Sequence, residues 1–398
     1  MQLYGHSQPL VKRFFHGYEQ MNLARLLICV KLETMSDDLR QRLERLRRLG
    51  VQRGPQHLSA RPAPEQAAAA PSTGPGPLEL PGEAVLTPHG AAWVATTRYP
   101  LAEHPDLAAW LGISPSALAA LDRNETLFDL QPPRAAFIDT ETTGLSLGAG
   151  TYTFLIGIGT CELTPEPAFV VRQYFMRNPA EERSQLHLVE AALTGATGIV
   201  SFNGRGFDMP LIHNRFRLAG LEPPLAGAPH LDLLPPARRL YRMRFGSCSL
   251  GNLERQVLGV QRTADDVPGA LIPDIYRQYY LTGGGTEMLA RVFYHNLQDI
   301  VSMVLLAARM ARSFDPDNVA AHVTELHPLE CLSLGRCYEA LNWSDASLVA
   351  YRSAVDRLAA SEVQVQAWRD LGYAYKRLER RAEAVALWET WISTVTRS

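Results

Sequence analysis

Asp139 and Glu141 stand two residues apart at the end of the apolar run Ala135-Ala136-Phe137-Ile138. Side chains alternate between the faces of an extended strand, so the two carboxylates emerge on one side. Oxygen ligands so paired suit hard divalent cations such as Mg²⁺ or Mn²⁺, although an Asp-x-Glu at a strand end also occurs as a solvated edge. Thr142, Thr143, Gly144 and Leu145 follow at once, a tight turn whose backbone amides can approach a terminal phosphate or sugar. Further on, Ser201-Phe202-Asn203 ends another strand and Asp208 opens a helix, with Gly204 and Gly206 between them. Asp208 reads either as a second site carboxylate or as an ordinary acidic N-cap. Asn203 positions a substrate sugar or caps the turn, and Asp232 supports the site from behind or is a loop carboxylate.

The third element is Tyr294-His295-Asn296-Leu297-Gln298-Asp299, inside a helix otherwise apolar through Leu289, Val292, Phe293, Ile300, Met303 and Val304. A carboxylate buried there needs a partner, and a metal ion is the simplest. His295 and Asp299 are i and i+4, about 40° apart around the helix, whereas Tyr294 lies roughly 140° from Asp299. His295 is therefore the better placed proton acceptor for an attacking water, against the alternative of a core histidine bonded to a carbonyl. Arg238, Arg239, Arg242 and Arg244 form the one local basic patch, read as phosphate contacts or as a solvated basic face. His187 is read as structural.

These residues need a frame. Residues 135–138, 151–159 and 169–176 carry strand patterns close together, which predicts an antiparallel meander. A helix over 180–193, a buried strand over 198–202 and a helix over 210–219 complete the order βββαβα. Beyond lie a loop with Pro223, Pro224, Pro235 and Pro236, a helix near 250–258, a break at Gly283-Gly284-Gly285 and a long helix over 286–311. Near the end, Leu334-Gly335-x-x-Tyr338 and Leu371-Gly372-x-x-Tyr375 repeat at a 37-residue offset, as do Tyr351 and Trp388. This is a tetratricopeptide-like pattern with about two units, fewer than the ~3 of an independent solenoid, so it is either a peptide-binding groove or a stabilising cap. Residues 37–48 read as a charged helix, Met35 as an internal start that leaves residues 1–34 peripheral, and the prolines between 61 and 82 as a linker.

Hydrophobic residues make up 46% and charged residues 20% of the 398, the profile of a soluble globular protein. The net charge of -2 gives no global basic field, so any contact with nucleic acid must rest on a local patch. Five cysteines without a CxxC pair imply neither disulfide framework nor zinc site, and a reducing cytoplasm fits. The apolar run at 26–30 is far short of a bilayer span, and neither membrane segment nor signal peptide is expected.

Taken together and in this order, AFIDTETTGL, SFNGRGFD and the His-or-Tyr…Asp helix resemble the motifs of the four-carboxylate (DEDD) 3′–5′ exonuclease superfamily. EERSQLHLVEAAL, CSLGNLERQVLGVQR, DVPGALIPDIYRQYY and YHNLQDIVSM resemble more closely the YprB-type branch of RNase H-like proteins, over residues 87–312. The resemblance implies an α/β RNase H-like fold with a mixed central sheet flanked by helices. It makes Asp139, Glu141, Asp208 and Asp299 the ligands of two divalent cations, Mg²⁺ or Mn²⁺, with the scissile phosphate between them. His295 is then the base. The standard subtypes place histidine five residues before the last aspartate or tyrosine four before it; here His295 is four before and Tyr294 five before, so Tyr294 stands as the alternative base.

The expected organisation is a peripheral segment at 1–60, a linker at 61–86, the RNase H-like exonuclease domain at 87–312 and an all-α tetratricopeptide-like unit at 325–398. The expected activity is hydrolysis of DNA or RNA, from the 3′ end of a single strand. Two other readings stay open. One is a weakly active or inactive nucleic-acid-binding scaffold recruiting a protein partner through the repeats; the other is endonucleolytic cutting of structured RNA or hybrids.

Overall fold

The computed structural model describes residues 80–144, 148, 150–263, 265–315, 319–359 and 362–395. The expectations for residues 1–79, and Leu145, lie outside the described residues. Seven strands form one mixed sheet: β1 (Glu83–Thr87), β2 (Gly90–Pro100), β3 (Ala135–Thr142), β4 (Thr153–Glu162), β5 (Ala168–Phe175), β6 (Gly198–Ser201) and β7 (His230–Asp232). Their order is β1-β2-β5-β4-β3-β6-β7. The expected meander of β3, β4 and β5 is antiparallel, and β6 joins β3 in parallel with Phe137 beside Val200. The β1–β2 hairpin was not expected; it extends the sheet past β5 and begins at Glu83, within the stretch read as linker.

Helices cover both faces. On one, α2 (Glu182–Leu193) and α3 (Asp208–Leu218) pack Leu186, Val189, Ile212 and Phe216 on Ile138 and Ile156. On the other lie α1 (Pro115–Asp122), α4 (Leu234–Phe245) and, beyond α5 (Ile272–Thr282), the 27-residue α6 (Thr286–Arg312). This two-sided burial explains why β3 opens as a continuous apolar run. The proline-rich stretch read as loop is a helix from Leu234 onward. Pro235 and Pro236 occupy its first turn, where a missing N–H leaves no bond unmade.

The C-terminal region is helical: α7 (Val319–Glu325), α8 (Pro328–Ala340), α9 (Ser344–Arg357), α10 (Glu362–Arg377) and α11 (Arg381–Val395). Two hairpins repeat one contact at the expected offset: a Cβ on Gly335 would overlap the Tyr351 ring, and one on Gly372 the Trp388 ring. Close backbone approach is what these glycines permit. Among the described residues no helix is long and apolar enough to cross a membrane.

Candidate active site

Central strand β3 presents Asp139 and Glu141 near its C-terminal end. Opposite Asp139 in the antiparallel register stands Gly157 of β4. A Cβ there would overlap Asn296 Oδ1 and Ile300 Cδ1, and one on Gly159 would overlap Ile300. The bare backbone of these two glycines lets α6 lie directly on the sheet. Asn296, wholly buried, then donates from Nδ2 to Asp139 Oδ2 at 2.8 Å, while its own Oδ1 accepts from Gln173 Nε2 at 2.9 Å. Gln173 also donates to the Phe293 carbonyl at 2.8 Å, so every member of this buried relay is bonded.

Asp208 is not an N-cap. It is the first residue of α3, after Phe207, and turns its buried carboxylate to β3, where Oδ1 accepts from the Thr140 hydroxyl. The loop before it is held by Asp232, whose Oδ1 takes the amides of Asn203 (2.7 Å) and Leu234 (3.1 Å) and whose Oδ2 takes that of Arg205 (3.2 Å). Asp232 is thus the loop's organiser and caps α4 as well. Asn203 is exposed, with φ of +69°, and serves this turn through its backbone.

On α6, Asp299 meets Arg262, which the sequence reading passed over. Its guanidinium grips the buried Glu254 at 2.5 and 2.8 Å, bonds Asp299, and reaches Asp266 at 3.3 Å. Asp266, also passed over, lies with Oδ1 2.7 Å from His295 Nδ1. A carboxylate oxygen accepts, so the 2.7 Å contact is a hydrogen bond with the proton on Nδ1 pointing at Asp266; Arg262 Nη1, 3.1 Å from Nδ1, is then a neighbouring charge and not a donor to it. His295 Nε2 lies 3.6 Å from Asp299 Oδ2. A cavity of about 570 Å³ opens over His295, Asp299, Asp266 and Arg262.

The electrostatics mark these residues as one cluster. Burial, then the charges of Asp299, Glu141 and Asp208, push Asp139 well above the usual carboxylate range. Burial and the charges of Asp299 and Asp208 do the same to Glu141, against Arg262. Asp299 is raised by burial, with His295 and Arg262 opposing. Burial raises Asp208 to about 6, held back by the Thr140 hydroxyl. Burial opposes the charge of Arg262, but its bonds to Glu254 and Asp299 prevail and hold it protonated.

Other expected residues stand further off. Thr143 donates its amide to the Tyr152 carbonyl at 3.0 Å, so that amide is already engaged, and Thr142 Oγ1 bonds the Gly144 carbonyl at 2.7 Å. Tyr294 accepts the Thr263 amide at 3.2 Å and lines a different cavity, against β2. Arg239 bonds the Leu121 carbonyl at 2.7 Å and Arg244 bonds Glu330 at 2.8 Å, while Arg238 and Arg242 are exposed. His187 packs edge-on against His89, away from the carboxylates.

Residues 136–311 match the family model described as RNase_H superfamily. This part of the chain has an RNase H-like fold. The chain is 32% identical over 256 residues to "Uncharacterized protein YprB" of Bacillus subtilis (strain 168), across 64% of its own length and 59% of that relative's. It therefore spans less than two thirds of the curated relative it matches. Among solved structures it is similar to a family B DNA polymerase from the hyperthermophilic archaeon Pyrobaculum calidifontis, at 14% identity and a TM-score of 0.33, covering 55% of this chain and 28% of that one.

Nuclease domains of this superfamily generally use divalent metal ions. Among the described residues no three His, Cys, Asp or Glu side chains are already drawn to coordination spacing. The donor set nonetheless fits such an ion. Asp139, Glu141, Asp208 and Asp299 are oxygen donors on three elements, each held above its ordinary pKa, with Arg262 the cation bonded among them.

Of the residues missed, Asn296 had a signal: it shares a helix face with Phe293 and Ile300, an unexpected place for an amide. Arg262 and Asp266 close and open two of the stretches that carry the resemblance, but no periodicity singles them out, because they sit in the irregular segment between 259 and 268.

Proposed function

We propose that the chain is a metal-dependent nuclease hydrolysing phosphodiester bonds of DNA or RNA, from the 3′ end of a single strand. The observation that carries this is the convergence of four carboxylates from β3, α3 and α6, Asp208 buried and the other three half-buried, beside a histidine held by Asp266. Asp139, Glu141, Asp208 and Asp299 would hold two divalent cations, Mg²⁺ or Mn²⁺. When bound, such ions supply Lewis-acid activation of water and of the scissile phosphate. His295 Nε2 takes the proton of the attacking water, and Asp266 fixes the tautomer and steadies the imidazolium that results. Asn296 and Thr140 orient Asp139 and Asp208. Arg262 offsets the charge of Asp299. The 3′ polarity rests on similarity to the four-carboxylate exonucleases. The C-terminal hairpins read as tetratricopeptide-like repeats that take a protein partner, in the cytoplasm.

The test incubates purified protein with 5′-labelled single-stranded DNA or RNA, in Mg²⁺, Mn²⁺ or EDTA, beside Asp139→Asn. A metal-dependent ladder shortened from the 3′ end, absent in the variant, is expected and names the preferred sugar. Internal cuts would replace exonuclease by endonuclease. Binding without cleavage under every metal condition would overturn the enzyme in favour of a scaffold.

A further inference from the structure

Away from the carboxylates lies a cavity of about 470 Å³ whose lining includes Arg123, Arg238, Arg239, Arg242 and Arg336 and no carboxylate. Three elements supply it: Arg123 stands just past α1, Arg238, Arg239 and Arg242 lie on α4, and Arg336 comes from α8. Only part of its charge is compensated from outside. Arg239 is 3.6 Å from Asp122 and Arg336 is 2.6 Å from Asp370, whereas Arg238 and Arg242 are exposed and, among the described residues, paired with no carboxylate. In a chain of net charge -2 so concentrated a positive site is local, and its fork-like guanidinium groups suit phosphate oxygens.

Asp122 joins this cavity to the loop that leads to Asp208. The same buried carboxylate that faces Arg239 is bonded at 2.7 Å by Arg205, which lies in the loop leading to Asp208 and also donates to the His230 carbonyl. Guanidinium groups thus continue from the loop beside the site, across Asp122, to the junction with the C-terminal helices.

Resting on the reading above, we propose that this arginine cavity binds the phosphodiester backbone of the substrate strand upstream of the cleaved end. α8 forms one of its walls, so the C-terminal helices complete a nucleic-acid site. An acidic polypeptide is the competing occupant, but it would leave the link through Asp122 and Arg205 to the Asp208 loop without a purpose.

The experiment measures fluorescence anisotropy in EDTA, so binding is read without hydrolysis and a failed nuclease assay leaves this result intact. Labelled single strands of ~4 and ~15 nucleotides are titrated into wild type, Arg238→Glu/Arg242→Glu and the milder Arg238→Gln/Arg242→Gln, with folding checked by thermal melting. Wild type is expected to hold the longer strand at least ~10-fold more tightly; the charge-reversed protein loses that gain, and its salt dependence flattens by a slope of about 1.4, for two lost phosphate contacts. The glutamine protein falls between. Equal length dependence in folded wild type and variants would overturn the proposal. So would poly-glutamate binding as tightly as the long strand with the same sensitivity to both substitutions.

Discussion

Asp266 Oδ1 and His295 Nδ1 lie 2.7 Å apart, joining an irregular loop to the long helix 29 residues later. If this contact sets the tautomer, His295→Ala should lower kcat by about 10²- to 10⁴-fold, the usual worth of a positioned base. Asp266→Asn should cost roughly 10- to 100-fold in kcat, the usual worth of the partner that orients a working histidine. Tyr294→Phe should change kcat little, because its oxygen accepts the Thr263 amide. A larger loss for Tyr294→Phe than for His295→Ala would reverse the assignment of the base.

Metal should stabilise the folded chain. With Mn²⁺ at about 100 times its Kd, a single occupied site adds about 2.7 kcal/mol and raises the melting temperature accordingly. Differential scanning fluorimetry with and without EDTA measures this. Asp139→Asn should remove most of the rise, and an equal rise in that variant would place the ion elsewhere.

Gly157→Ala forces a methyl into Asn296 and Ile300, with backbone on one side and a packed helix on the other. Overpacking of this kind costs about 1–3 kcal/mol. The expected result is a lower denaturation midpoint together with reduced activity in the protein that remains folded, since displacing α6 breaks the Asn296–Asp139 bond. Unchanged activity in that folded fraction would mean the relay does not position Asp139.

His230 contributes one acid-sensitive part of the stability. Burial, then the nearby Arg205 and His213 charges, lowers its pKa to about 4, against Asp232. Its Nε2 lies 2.7 Å from Ser201 Oγ. A depressed histidine pKa means that the unfolded chain binds the proton more readily. Its contribution is therefore complete above the unfolded value of about 6.5, and is lost as the pH falls toward 4. The raised carboxylates of the site act in the opposite sense in wild type and variant alike, so the readout is the difference: across that window wild-type urea midpoints should fall relative to those of His230→Gln by the equivalent of roughly 1–3 kcal/mol. An identical slope in the variant would assign the acid sensitivity to other groups.

What could be read in advance follows the range of the signal. β3 and the carboxylates on it were legible because strand alternation and the following turn are local. On α6, helical geometry ranked His295 over Tyr294, while Asp299 came from the resemblance. Arg262 and Asp266 escaped because loop closure, with no period to announce it, brings them to His295 and Asp299. Helix α4 hid behind Pro235 and Pro236, which break helices in the middle but open them at the start. Asp208 was ambiguous until Thr140 decided which way its side chain turns.

One apolar core runs from Ile300 and Met303 of α6 through Phe314 to Leu334, Tyr338 and Tyr351 of the C-terminal helices. The Tyr338 hydroxyl donates to the Ser313 carbonyl just past the end of α6. The helix that carries His295 and Asp299 near its middle is thus gripped by the appended hairpins at its C-terminal end. Trimming the chain after α6 would leave Phe314's neighbours wet, so the RNase H-like half is expected to be obtainable only with its helical tail attached, and heat should melt both in a single step.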